Sequence, residues 1–356
     1  MIKMAPVILE LNRHAATFDH TLLAAAQHRE MLDQCLSAFG IQPDIDLNLM
    51  QTNQSLADLT SRSLSSLFNK LSELKPDAVL IQGDTTTVMT AGLAAFYLGV
   101  RVGHVEAGLR SFDRGNPFPE EVNRRITSCL ANMHFAPTER ARHNLLREGV
   151  PQQDIFVTGN TIVDALSSIS IASGFEDERL SRIDFDSKRM LLVTAHRREN
   201  HGRPLRAICQ ALKILASSFE NIEIIYPIHL NPNVSAVVRE ELEGAPRIHV
   251  VAPVSYKDML RLINRCYLIM TDSGGIQEEA PSFHKPVLVL RQATERPELV
   301  EAGAGKVIGT DTARIVEEAA RLLTDANEYR RMSTADNPFG DGHAAERIVS
   351  ILAQRL

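Results

Sequence analysis

Residues 268–280 read LIMTDSGGIQEEA, an apolar run that stops at Asp272 and is followed by a serine and two glycines. Glycines at the end of a strand permit a tight turn that gathers unpaired backbone N–H groups at the start of a helix. An anion such as phosphate is favoured there, because the positive end of the helix dipole faces it. The stretch therefore predicts a strand, a turn and a helix, with Ser273, Gly274 and Gly275 on a diphosphate.

Two carboxylates, Glu278 and Glu279, follow the glycines. An ionised carboxylate only accepts hydrogen bonds, so it suits hydroxyl groups better than phosphate. We therefore expect Glu278 or Glu279 to bind a ribose diol. The alternative is that both acids only stabilise the first turn of a helix.

Length and composition indicate a globular protein with more than one domain. The chain has 356 residues, 44% hydrophobic and 23% charged, with a net charge of −6. A single core seldom extends over so many residues, and the acidic balance gives no basic surface for nucleic acid. No apolar run approaches the length of a membrane helix, and no signal-peptide pattern opens the chain. The four cysteines lack the spacing of a zinc site, so we expect no metal. Their scatter suits buried thiols in a reducing cytoplasm.

Apolar strands alternate with amphipathic helices, the pattern of a parallel α/β fold. The predicted strands form two series: 77–84, 101–108, 134–137 and 155–160, then 189–196, 222–229, 248–253, 267–275 and 286–290. A polar segment separates the series, so we predict one Rossmann-like domain at 1–162 and another at 163–341. The final helix, 342–356, is assigned to the first domain.

Ligands of open α/β sheets bind beyond the carboxyl ends of the strands. In the first series this edge carries Asp84, Glu106 and, at the start of the next helix, Glu120. Asp84 and Glu120 have alternative roles as helix-capping or helix-start acids. Glu106 is harder to explain structurally, because an acid in a buried strand is costly without a partner or a purpose.

The second series places basic residues at its own strand ends. His196 and Arg197 follow an apolar strand in TAHRREN, and Arg296 follows another in RQATERPE. Arginine forks bind phosphate well, and histidine can donate to phosphate or transfer protons. The alternatives are a solvated basic loop for the first segment and a surface ion pair for Arg296.

Seven motifs in chain order resemble those of the non-hydrolysing UDP-N-acetylglucosamine 2-epimerases: GDTTT at 83–87, HVEAGLRS at 104–111, PFPEEVNR at 117–124, TAHRREN at 194–200, IHLNPNV at 228–234, TDSGGIQEEAP at 271–281 and TERPE at 294–298. The resemblance implies two Rossmann-like domains in a glycosyltransferase-B arrangement, with the active site in the interdomain cleft. It also implies a cytoplasmic homodimer that requires no cofactor and acts in cell-surface polysaccharide synthesis.

The activity implied by the resemblance is reversible inversion at C2 of UDP-N-acetylglucosamine, through elimination of UDP and a 2-acetamidoglucal intermediate. A base must remove the C2 proton and another group must return it on the opposite face. The matching catalytic residues are Asp84, Glu106, Glu120 and His196. The matching substrate-binding residues are Lys3, Arg124, Val254, Met259, Ser273, Gly274, Gly275, Glu279 and Arg296.

Two further expectations follow from the resemblance. Family members open with a strand and an arginine-containing turn before a helix that resembles residues 2–8. We therefore expect about a dozen further residues before Met1, because the start codon was assigned too late. Many bacterial members bind a second substrate molecule as an activator, and Gln27, Arg197 and His229 match that allosteric site. Glu30 stands where some members have glutamine.

Two rival classes share part of this pattern. A glycosyltransferase would use the same fold and diphosphate site but would need an acceptor site and has no use for three acids. A silent nucleotide-sugar binding protein would bind UDP tightly without turnover. Within the epimerases, a diacetamido uronic acid sugar is an alternative substrate.

Overall fold

The computed structural model describes residues 1–25, 36–49, 54–169, 171 and 174–356. The chain divides into two compact units, each with its own parallel sheet. The first unit contains Met1–Ile169 and Phe339–Leu356, and the second contains Ser170–Pro338.

The strands of the first unit are β1 (Leu23–Ala24), β2 (Ile45–Asp46), β3 (Ala78–Gln82), β4 (Arg101–Val105), β5 (Met133–Ala136) and β6 (Ile155–Val157). Within the described residues, β3 to β6 form a parallel sheet in chain order, and β1 pairs with β2 in a separate parallel pair. The helices of this unit begin with α1 (Ala5–Arg13), α2 (Leu56–Leu74), α3 (Thr86–Tyr97), α4 (Glu120–Leu130), α5 (Glu139–Arg147) and α6 (Thr161–Ser168).

Local sequence explains where these helices begin. Ser55 and Asp58 form a reciprocal capping box at the start of α2, and the Thr85 hydroxyl accepts a hydrogen bond from the Val88 amide at the start of α3. Such caps satisfy backbone donors that would otherwise have no partner in the first turn. The cap at Thr85 fixes the direction in which the chain leaves β3, and Asp84 lies at that corner.

The strands of the second unit are β7 (Arg189–Thr194), β8 (Ile222–Pro227), β9 (Ile248–Val251), β10 (Leu268–Thr271), β11 (Val287–Val289) and β12 (Gly305–Val307). They form one parallel sheet in the order β12-β11-β10-β7-β8-β9. The helices are α7 (Glu178–Ser181), α8 (Arg203–Ser218), α9 (Pro232–Leu242), α10 (Tyr256–Arg265), α11 (Gly274–Glu279), α12 (Pro297–Glu301), α13 (Thr312–Thr324) and α14 (Ala326–Ser333). Short 3₁₀ helices cover Gln152–Asp154, Arg198–Asn200 and Ala280–Phe283.

The last helix, α15 (Ala344–Arg355), packs within the first unit. Its buried Ile348 and Leu352 join a core cluster with Val7 of α1 and Phe135 of β5. Helix α6 belongs to the same unit because α1 and α15 both pack against it, so the division of the chain follows Ile169 rather than residue 162.

Every strand expected from an apolar run is present, but each is shorter at its carboxyl end. The omitted residues, such as Gly83, Glu106 and Asp272, lie just beyond the strands. Of the helices in the described part of the chain, none combines the length and the hydropathy that a bilayer span requires.

Candidate active site

The sheet of the second unit reverses its strand order between β7 and β10, which are adjacent although far apart in sequence. Thr194 and Thr271, the last residues of these strands, pair in the ladder and join their hydroxyl groups at 2.6 Å. The loops that follow the two strands are therefore neighbours. A switch point of this kind is where doubly wound sheets place their ligands.

Asp272 links the two loops. Its side chain is fully buried, and Oδ2 accepts hydrogen bonds from the backbone N–H of His196 and Arg197, both at 2.8 Å, and from Asn200 Nδ2 at 2.9 Å. The amide of Asn200 also donates to the carbonyl of Leu290 at 3.0 Å. A carboxylate with this many donors is strongly held, so the loop at 195–200 has a defined conformation relative to β10.

Two guanidinium groups meet at Gly274, the first residue of α11. A Cβ added to Gly274 would lie 3.5 Å from Arg197 Nη2 and 3.9 Å from Arg296 Nη2. Ser273 caps this helix without a side-chain hydrogen bond, and its own amide donates to Thr271 Oγ1 at 2.9 Å. The absence of a Cβ at Gly274 and the two positive groups together suit a diphosphate.

The guanidinium of Arg296 is oriented by Glu278, whose carboxylate is buried. Arg296 Nε donates to Glu278 Oε1 at 2.5 Å. Glu278 therefore holds a phosphate-binding candidate in place. This contact makes Glu279 the better candidate for the ribose.

Glu279 accepts a hydrogen bond from the Tyr256 hydroxyl at 3.0 Å. Tyr256 is the first residue of α10, and Met259 is one turn further along the same helix. Val254 lies in the loop between β9 and α10. The segment expected to contact uracil is thus linked to the acid expected to bind the ribose.

His196 lies between a buried acid and a second imidazole. Its Nδ1 is 3.4 Å from Asp272 Oδ1, and its ring stacks on that of His229 with centroids 5.0 Å apart and planes 12° apart. Burial lowers the pKa of His196, and the neighbouring His229, Arg197 and His201 act in the same direction, whereas Asp272 opposes them. His196 therefore favours the neutral imidazole at neutral pH.

Of the three residues matched to an allosteric site, Arg197 and His229 lie next to His196 and Gly274. Gln27 and Glu30 lie outside the described residues. The nearby Glu295 is 3.6 Å from Arg197. Burial opposes ionisation of Glu295, but Arg197 and Arg291 outweigh it and lower the pKa of this carboxyl.

In the first unit, Glu106 directly follows β4 with a φ of +66°, in the left-handed region that ordinary residues avoid. Lys3 forms an ion pair with Glu106 Oε1, and Gln82 donates to Oε2 at 2.5 Å. Such backbone also occurs at a helix end in this chain, at Lys75 after α2, but Glu106 ends no helix. Positive φ at a non-glycine residue clusters at functional sites.

Asp84 lies beside Glu106 through Gly83, since a Cβ added to Gly83 would be 3.9 Å from Glu106 Oε2. Arg124 approaches Asp84 Oδ2 with Nε at 2.9 Å and Nη2 at 2.8 Å. Asn123 donates to the Asp84 carbonyl at 3.0 Å. Two of the predicted catalytic carboxylates and two cationic side chains, Lys3 and Arg124, are thus brought together.

Glu120 and Glu121 open α4 but have different environments. Glu121 is fully buried, accepts from the amides of Ser111 and Phe112 at 2.9 and 3.1 Å, and pairs with Arg124 at 3.0 Å. Glu120 is half-buried. Glu121 therefore orders the loop before α4 and supports Arg124, which leaves Glu120 as the candidate for chemistry.

Sequence reasoning missed His104 as a support for this cluster. His104 is almost completely buried, and its Nε2 contacts the Gly83 carbonyl at 2.8 Å. Burial lowers the pKa of His104 to about 4, so the neutral ring donates from Nε2 to that carbonyl. Its place within the motif at 104–111 was the available signal. Within the described ranges, no group of three or more potential metal ligands lies together.

A family model described as UDP-N-acetylglucosamine 2-epimerase matches residues 10–353. The chain belongs to this family. The predicted resemblance is therefore confirmed, since the match extends across both units.

Individual relatives within the epimerase family are similar over nearly their whole length. The UDP-N-acetylglucosamine 2-epimerase of Salmonella typhimurium is 50% identical, over 99% of this chain and 95% of the relative. The enzyme of the same name from Bacillus subtilis is 48% identical, over 99% and 91% respectively. The crystal structure of UDP-GlcNAc 2-epimerase from Neisseria meningitidis bound to UDP-GlcNAc matches with a TM-score of 0.90 and 45% identity, over 99% of this chain and 96% of that chain. The predicted α/β fold of glycosyltransferase-B type is confirmed.

Proposed function

We propose that this chain interconverts UDP-N-acetylglucosamine and UDP-N-acetylmannosamine by inverting C2. The observation that carries the proposal is Glu106, a residue of positive φ whose carboxylate is held by Lys3 and Gln82 beside Asp84. A strained, nearly enclosed carboxylate with a second carboxylate close by is suited to moving a proton from and to a weakly acidic carbon. The identity of the substrate is inferred from the family to which the chain belongs.

The proposed route eliminates UDP across C1 and C2 and then adds it back. The C2 proton passes to a carboxylate as the C1–O bond breaks, which leaves 2-acetamidoglucal and UDP. Protonation of C2 on the opposite face, with return of UDP to C1, gives the epimer. Asp84, Glu106 and Glu120 are the groups proposed to carry these protons. Lys3 pairs with Glu106 and Arg124 pairs with Asp84, so each of these two carboxylates is oriented by a cationic side chain.

The second unit would bind the nucleotide and stabilise the leaving diphosphate. Arg197 and Arg296 converge on Gly274, so the two guanidinium groups can neutralise charge that develops on UDP. Ser273 and Gly275 border the same turn, and His196 is the proton or hydrogen-bond donor beside it. Glu279 is proposed to bind the ribose, and Val254 and Met259 to border the uracil.

The proposal is tested by proton NMR with UDP-N-acetylglucosamine in deuterium oxide. We expect the manno epimer to form, with deuterium at C2 of both sugars. A folded sample that binds UDP yet exchanges no C2 proton would contradict the proposal. Transfer of the sugar to an added acceptor would instead identify a glycosyltransferase, and turnover of a diacetamido uronic acid sugar alone would change the substrate.

We infer further that the protein works as a cytoplasmic homodimer in the supply of cell-surface polysaccharide precursors. Phe96 and Tyr97, at the end of α3, expose 59% and 60% of their surface, which supports burial against a second copy. Light scattering after size exclusion should give twice the chain mass. A monomeric mass at micromolar concentration would contradict the homodimer.

A second substrate molecule is proposed to contact Arg197 and His229, with Gln27. Both described residues adjoin His196, so an occupant could alter the proton equilibrium of that ring. The rate should then rise sigmoidally with UDP-N-acetylglucosamine. A hyperbolic curve at every concentration would contradict a second site.

A further inference from the structure

Asp272 ends the apolar run of β10 and none of the roles above uses its second oxygen. Oδ2 accepts three hydrogen bonds from the loop at 195–200. Oδ1 is buried and, in the described part of the chain, makes no hydrogen bond within ordinary limits. The polar atom that faces it is Nδ1 of His196, at 3.4 Å. A buried carboxylate oxygen requires a donor, so this separation indicates where the proton of the imidazole resides.

We propose that Asp272 is a positioning residue that keeps a proton on Nδ1 of His196 and directs Nε2 toward the diphosphate. The inference rests on the proposed function of the same site. Oδ2 fixes the backbone of His196, so the ring is held from two directions by one carboxylate. Nε2 lies on the opposite side of the ring from Asp272. It is the nitrogen that exchanges a proton or hydrogen bond with the departing UDP.

The surroundings of His196 show why the carboxylate is needed. The groups that face the imidazole from neighbouring segments are Asp272, His229, Arg197 and His201, and Asp272 alone among these four is acidic. Three cationic or ionisable bases would otherwise suppress the imidazolium form. Asp272 stabilises that form when Nε2 is protonated, as an orienting carboxylate does for a histidine base.

The stacked ring of His229 has the opposite tautomer. The Asn231 amide donates to His229 Nδ1 at 3.1 Å, so a neutral His229 carries its proton on Nε2. With the ring centroids 5.0 Å apart, His229 lowers the pKa of His196. Asp272 faces His196 and opposes that effect, because its negative charge raises the pKa of His196 and so stabilises the imidazolium form of this ring.

The first test is made on the wild-type protein labelled with ¹⁵N-histidine. We expect the His196 signals to show the neutral tautomer protonated on Nδ1. A tautomer protonated on Nε2 would overturn the proposal. This measurement requires neither a variant nor turnover, so it is independent of whether the proposed activity is found.

The second test is Asp272→Asn, which preserves shape. The amide oxygen can still accept from the three loop donors, while the amide nitrogen would face His196 Nδ1 and donate to it. We therefore expect the proton of His196 to move to Nε2. The high-pH limb of the plot of kcat against pH should shift to lower pH by about one unit or more, because loss of the nearby negative charge lowers the pKa of His196 by that amount. KM should change less than kcat, since the loop is retained.

Asp164→Asn is the matched control. Asp164 is also a buried carboxylate, with Oδ1 accepting from the Ala345 amide at 2.8 Å and Oδ2 without a hydrogen bond among the described residues. It belongs to the first unit and faces none of the histidines of the second. We expect this variant to lose thermal stability and to keep the wild-type pH profile. Equal pH profiles for Asp272→Asn and wild type, in folded and active samples, would refute the role of Asp272.

Discussion

Glu106 joins a strained backbone to a nearly enclosed carboxylate with two defined partners. No capping or packing role accounts for this combination, because Glu106 neither starts a helix nor lies in the strand itself. Sequence reasoning singled out Glu106 as an acid inside a predicted buried strand, whereas the structure places it just after the end of β4. The positive φ and the contacts of the carboxylate could not be foreseen from the sequence, since Lys3 lies 103 positions and Gln82 lies 24 positions away from Glu106.

Glu106→Gln should abolish most of the proton exchange at C2. The amide cannot take a proton from carbon, and general base catalysis is typically worth about 10²–10⁴-fold. The measurement is the rate of deuterium incorporation at saturating substrate, with UDP affinity as a check of folding. Glu139→Gln, a change of an exposed acid at the start of α5, should leave the rate unchanged. Exchange at the wild-type rate in Glu106→Gln would exclude this carboxylate as the base.

Glu278→Gln should weaken UDP binding by about tenfold or more, because Arg296 loses its orienting partner and a charge-assisted hydrogen bond is worth about 1.5–3 kcal/mol. Calorimetric titration with UDP measures this effect. The matched control is Glu240→Gln, which breaks an exposed ion pair with Arg206. An unchanged dissociation constant in a folded Glu278→Gln protein would show that Arg296 does not contact the nucleotide.

At the scale of elements, the strand pair β4 and β5 carries two opposed buried histidines, His104 and His134. Burial lowers both pKa values from 6.5 to about 4, and in His134 the neighbouring His104 acts in the same direction. Below pH 6.5 these two histidines bind protons in the unfolded chain but stay neutral in the folded chain. Stability is therefore complete above pH 6.5 and is lost as the pH falls toward 4.

We expect the free energy of unfolding to fall by about 1.4 kcal/mol per pH unit for each histidine within that window. Urea denaturation at a series of pH values between 7.5 and 4.5 gives the slope. His134→Asn, which keeps a polar side chain that does not titrate, should reduce it. A slope that is the same in His134→Asn and wild type would assign the acid sensitivity to other groups.

Sequence patterns identified the presence of most strands, but not where the strands end or which residues hold the site residues in place. Long apolar runs predicted nine strands, whereas the two-residue strands β1 and β2 and the three-residue strand β12 gave no such signal. The role of Asp272 was also missed, because an acid after a strand resembles a simple turn residue. Its partners, His196 and Asn200, lie more than 70 positions away in the sequence, and only the neighbouring placement of β7 and β10 brings them together.

At the scale of the whole molecule, the chain forms two compact units, and α15 completes one core cluster of the first unit. Ile348→Ala should destabilise the first unit by about 2–5 kcal/mol, the usual cost of truncating a buried aliphatic side chain to alanine. Scanning calorimetry should show two transitions, with Ile348→Ala lowering one and UDP raising the other, since a ligand stabilises the unit that binds it. Ser350→Ala, an exposed change on the same helix, should move neither. If one substitution and one ligand both shifted a single transition, the units would not unfold independently.

At Glu106, selection for thermal stability and selection for activity favour different residues, because the backbone is left-handed there. Glycine or asparagine would occupy this φ with less strain, so screening random variants for thermal tolerance alone should accept such replacements at position 106. Those replacements would remove the carboxylate on which the proposed chemistry depends. A stabilisation campaign on this protein should therefore hold residue 106 fixed, although a purely thermodynamic ranking would favour changing it.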